Sequence, residues 1–96
     1  MQTSSRNVNY KLLKDTKAAL MKIPTQSEIV TKMRTMLFIN IDLVIDNPTY
    51  LTPVYGKVLS NSLETFYNVS TLSAEDTLQI NLARTYINAL RIGDDY

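Results

Sequence analysis

The stretch 25–46, TQSEIVTKMRTMLFINIDLVID, holds more apolar surface than one face of a surface helix can use. Set on a helix at about 100° per residue, its eleven large apolar side chains between residues 29 and 45 spread over roughly 260° of the circumference and leave one narrow polar strip. A segment apolar on so many sides has to be enclosed, and a chain of 96 residues has little else to enclose it with. The sequence therefore predicts that part of this segment is covered by another subunit. The residues assigned to that contact are Met36, Phe38, Ile39, Asn40 and Leu43, with Phe38 and Ile39 at opposite limits of the apolar arc and Leu37 nearer its middle.

Local punctuation divides the rest of the chain. A polar arm at 1–7 precedes a first helix over about 8–22, which carries Leu12, Ala19 and Ile23 on one side beside Leu13 and Leu20 and stops at Pro24. Thr25-Gln26-Ser27-Glu28 has the form of a capping box, which starts a second helix over 26–45. Within it, residues 37–45 also alternate as a strand would, so a strand is the rival reading. No other segment of that character exists to pair with it, which favours the helix. Asn47-Pro48 breaks the chain, and Thr52 followed by Pro53 reads as an N-cap with proline at the first helical position.

The third helix, about 53–68, groups Val54, Tyr55, Val58, Leu59, Ser62, Leu63 and Phe66 over half its circumference, while Gly56 and Ser60 allow a close neighbour. Ser73 caps a fourth helix over about 74–92, with Glu75 and Asp76 in its first turn, Arg91 in its last and Gly93 just beyond. Its predicted core stripe is Leu78, Leu82, Ala83, Tyr86, Ile87, Ala89 and Leu90. The expected fold is a single all-α, four-helix bundle-like domain spanning 1–96; the alternative is an α+β fold with a strand at 37–45.

Chemistry is constrained mainly by what is missing. The chain has no His and no Cys, so the usual general base, the imidazole metal ligand and the thiolate nucleophile are absent. Two glycines cannot build a phosphate-cradling loop. Asp42 and Asp46 share a helix edge at i, i+4, but two carboxylates are too few for a metal site and read as solvated surface. No enzyme activity, no cofactor, no metal and no small-molecule substrate are expected. The longest charge-free apolar run, 35–41, is far short of the ~20 residues that span a bilayer, and no export signal is legible.

Charge is distributed unevenly. Residues 1–34 hold seven basic against two acidic side chains, a balance of +5, and residues 35–96 hold three against seven, a balance of −4. Lys11, Lys14 and Lys22 fall in one sector of the first helix, with Arg6 and Lys17 elsewhere and Tyr10 available to stack, so Arg6, Lys11, Lys14 and Lys22 are the candidate nucleic-acid contacts. A sequence pI of about 7.9 is low for a dedicated nucleic-acid binder, which makes any such contact weak. Asn40 lies near the middle of the apolar arc, where its amide needs a partner: a backbone carbonyl within the fold, or a symmetry mate that fixes register.

Eight Asn, eleven Thr and no His, Cys or Trp give a texture common in small bacteriophage proteins. The expected function is a non-enzymatic structural or assembly subunit that acts by protein–protein contact, as a homo-oligomer or with another protein, in the cytoplasm or in a virion. A small helical regulator that binds nucleic acid or the transcription machinery through its basic first helix is the alternative.

Overall fold

The computed structural model describes residues 5–24 and 27–92. Four helices follow in order, α1 (Ser5–Met21), α2 (Glu28–Asp46), α3 (Pro53–Val69) and α4 (Ala74–Asn88), with one 3-10 turn at Pro48–Tyr50 and no strand among the described residues. Residues 37–45 are helical throughout, so the strand alternative is excluded: with no second strand to pair with, their backbone groups are satisfied inside the helix. No helix among the described residues is long and apolar enough to cross a membrane.

Short connections make successive helices antiparallel neighbours. α1 packs on α2 and α4, and α3 packs on α2 and α4, so the four form a ring that closes between the first helix and the last. Its centre is filled by Leu13, Leu20, Leu37, Ile41, Leu59, Leu63, Phe66 and Ile80, all fully buried. One end of the bundle collects the start of α1, the end of α2, the 3-10 turn, the start of α3 and the end of α4.

The caps explain where each helix begins. Thr52 Oγ1 accepts from the Tyr55 amide at 3.2 Å, and Ser73 Oγ accepts from the Asp76 amide at 3.1 Å, as the sequence predicts. At α2 the cap is Ser27, whose hydroxyl accepts from the Val30 amide at 3.3 Å, and Glu28 is the first helical residue. The helix thus starts later than the capping box at 25–28 requires; Thr25 and Gln26 lie outside the described residues. α1 begins at Ser5, so residues 5–7 belong to the helix and not to the predicted arm, of which 1–4 lie outside the described residues.

α4 departs furthest from expectation. It ends at Asn88, so Arg91 is not in its last turn, and Gly93 lies outside the described residues. The physical reason is a clamp from the other end of the chain. The buried Asn9 amide donates from Nδ2 to the Arg91 carbonyl at 2.9 Å and accepts at Oδ1 from the Arg91 amide at 2.8 Å. Both backbone groups of Arg91 are taken, so the chain peels off the helix and lays Ile92 over Gly56 of α3, where a Cβ would collide with the Ile92 side chain. The buried stripe of α4 is Ile80, Ala83 and Ile87, followed by Leu90, whereas Leu78, Leu82 and Ala89 face outward. α3 is rotated in the same sense: Gly56, Leu59, Leu63 and Phe66 face the core, while Val54 and Val58 are exposed.

Candidate protein interface

α2 is the helix whose outward face most needs explaining. Val30, Leu37, Ile41 and Val44 turn inward and are buried. Ile29, Met36 and Leu43 recur every seven residues on the other side, with Ile39 between the last two, and all four are exposed. Ile39 is the most exposed of them at 60%. α3 continues this surface with Val54, 74% exposed, and Val58. Between the two helices runs a shallow groove of about 350 Å³ lined by Met33, Met36, Val58, Asn61, Ser62 and Thr65, without a charged group.

Three of the five residues assigned to a contact from sequence, Met36, Ile39 and Leu43, share this strip. The other two are engaged elsewhere. Asn40 lies half-buried at the α2–α3 seam, where its Oδ1 accepts from the Tyr55 hydroxyl at 2.9 Å. Its partner is therefore a side chain within the fold, and burial raises the Tyr55 phenol above its ordinary pKa. Phe38 turns toward α1 and packs partly buried against the core, with Lys17 Nζ 5.7 Å and the Arg34 guanidinium 5.8 Å from its ring centroid. Arg34 also donates to the Ile23 carbonyl at 2.8 Å, so it places a cation at the open end of α1. Sequence reasoning missed Ile29, Val54 and Val58. The seven-residue recurrence from Ile29 was the available signal for the first; for the valines, an apolar residue on a helix shoulder reads the same whether it is covered or open.

Lys11 and Lys14 are exposed on α1 and Lys22 just beyond its end, and the first two have local partners. Lys11 is ion-paired to Asp15 at 2.8 Å, which raises the lysine pKa. Lys14 donates to the Tyr10 hydroxyl at 3.3 Å and lies 5.2 Å from its ring centroid. Lys22 is exposed, and Arg6 stands apart, lining a cleft of about 190 Å³ with Asn7, Asn9, Tyr10, Leu13, Val44, Ile45, Pro48 and Leu51. Asp42, read from sequence as half of a carboxylate pair, holds Lys17 at 2.6 Å. Among the described residues no group of three or more acidic side chains converges.

Two further features belong to the other half of the ring. Arg84 forks onto Glu64 with contacts of 2.6 and 2.8 Å, donates to Asn81 Oδ1 at 2.9 Å and lies 4.6 Å from the Tyr67 ring centroid, tying α3 to α4. The fork holds the Glu64 carboxyl below its ordinary pKa. On α4, Leu78 and Leu82 form a smaller outward apolar pair, diagonally across the ring from the α2 strip.

No family model, no curated protein and no solved structure matches this chain.

Proposed function

We propose that this protein is a non-enzymatic structural or assembly subunit that associates through the outward face shared by α2 and α3. The observation that carries the reading is the strip Ile29, Met36, Ile39, Leu43 with Val54 and Val58 beside it. Each of these side chains is between 37% and 74% exposed, and exposed apolar groups gathered on one side of a monomer mark an association surface. Folding does not require it, since the core is already closed by other residues of the same helices. The absence of His and Cys supports a role without catalysis, and the composition supports a phage-like setting such as a virion or an assembly intermediate.

The test is the mass of the protein in solution by light scattering, wild type against Ile39→Asp, with far-UV circular dichroism on both. The wild type is expected above the mass of one chain, and the variant at one chain with its helical signal intact. A wild type that stays monomeric at millimolar concentration overturns the reading.

A further inference from the structure

The charges that bracket the strip specify how two copies would meet. Lys32 stands seven residues before Ile39 and Asp46 seven residues after it, both exposed on the same outward side of α2. Among the described residues neither is held in an ion pair. We infer that the occupant of this face is a second copy of the chain, with α2 packed antiparallel on its counterpart about a two-fold axis at Ile39. This rests on the reading of the face as an association surface and adds the partner and the geometry.

Three considerations select that arrangement. A two-fold axis at Ile39 sets Lys32 of each copy opposite Asp46 of the other, two complementary pairs from one symmetric contact, whereas a parallel pairing would place like charges together. The same axis sets Met36 beside Leu43 of the second copy, so the apolar strip covers itself. Antiparallel helices also oppose their dipoles favourably.

The chain lacks cysteine, so single cysteines report the geometry directly. In the antiparallel arrangement Lys32 and its symmetry mate are displaced by fourteen helical residues, about 21 Å along the axis. A bis-maleimide shorter than that span is expected to link Ile39→Cys to itself and to link a mixture of Lys32→Cys and Asp46→Cys, but not Lys32→Cys to itself. In parallel, Lys32→Glu is expected to weaken association about tenfold and Lys32→Glu with Asp46→Lys to restore it to within about threefold. An associated protein in which Lys32→Cys links to itself, or in which the double exchange fails to restore association, overturns the antiparallel contact and leaves the association reading standing. A monomeric wild type removes both.

Discussion

α1 and α2 are neighbours in the ring and similar in length, at 17 and 19 residues, yet their outward faces are opposite in kind. Each buries one stripe, Leu13, Thr16 and Leu20 on α1, and Leu37, Ile41 and Val44 on α2. On α1 the remaining surface carries Lys11, Lys14 and Lys22, with Lys11 answered by a local acid. On α2 it carries Ile29, Met36, Ile39 and Leu43. The bundle needs one apolar stripe per helix, so α1 shows what folding alone asks for. The second apolar face of α2 is surplus to that requirement, which is why the proposed association is placed there.

The contrast is broken most severely by exchanging charge into the two sides of α2. Leu37→Asp places a carboxylate in the fully buried centre and is expected to abolish cooperative folding, a loss above about 4 kcal/mol, whereas Ile39→Asp, compared at a concentration where the wild type is also monomeric, should change chemical-denaturation stability by less than about 1 kcal/mol. Equal effects at the two positions would mean that the outward face is part of the core.

Next in size is the clamp between α1 and the residues that follow α4. Asn9→Ala deletes two part-buried hydrogen bonds and leaves both backbone groups of Arg91 without those partners; a loss of about 1–2 kcal/mol is expected in urea unfolding. Faster amide exchange at Arg91 and Ile92 should accompany it. An unchanged midpoint would show that Leu90 and Ile92 dock this segment without the clamp.

A smaller effect is expected at the α3–α4 seam, which lacks the surplus apolar strip of α2. Because Glu64 titrates below its ordinary value when folded, its contribution is fully present at neutral pH and is lost as pH falls below about 4.5 through the depressed value. Glu64→Gln should cost under about 1 kcal/mol at pH 7, since the pair is half-exposed, and should flatten the acid limb of stability against pH. A steeper acid limb in the variant would contradict the assignment. The smallest effect concerns the α1 surface. Changing Lys11, Lys14 and Lys22 to Gln should alter the salt slope of duplex binding by less than about one unit per lysine, read by fluorescence anisotropy. Tight, steeply salt-dependent binding lost in that variant would move the functional face from α2 to α1.

How much of this was legible in the sequence depends on whether the deciding partner was local. Pro53 after Thr52 and Ser73 before Glu75 and Asp76 mark helix starts through bonds three residues long, and the structure has them where the pattern does. Ser27 competed with Thr25 for the same role, and both residue types can cap; burial of Val30 fits the later start. The α4 stripe was misread because Leu78 and Leu82 repeat at helical spacing just as Ile80, Ala83 and Ile87 do, and periodicity does not say which apolar shoulder finds a neighbour. Asn9 carried no signal at all. Its partner is 82 residues away and is a backbone group, which every residue except proline presents alike. For the candidate interface, the excess of apolar residues on α2 was visible, but its division between core and surface was not: Phe38 is covered because Lys17 and Arg34 lie across it, and those meet only after α1 and α2 have packed.

The bond pair between Asn9 and Arg91 has a consequence for the order in which this protein comes into being. α1 emerges from the ribosome first and α4 last, yet they are ring neighbours, and the clamp that fixes their seam waits for residue 91. At about 5–20 residues per second, the 82 residues added after Asn9 up to Arg91 take several seconds to synthesise. Once α2 is complete at residue 46, α1 can rest on it, while the side of α1 that will meet α4 stays open. The nascent chain therefore carries two uncovered apolar seams, the outward one on α2 and a transient one on α1, and only the second is covered by the chain itself once residue 91 has been added.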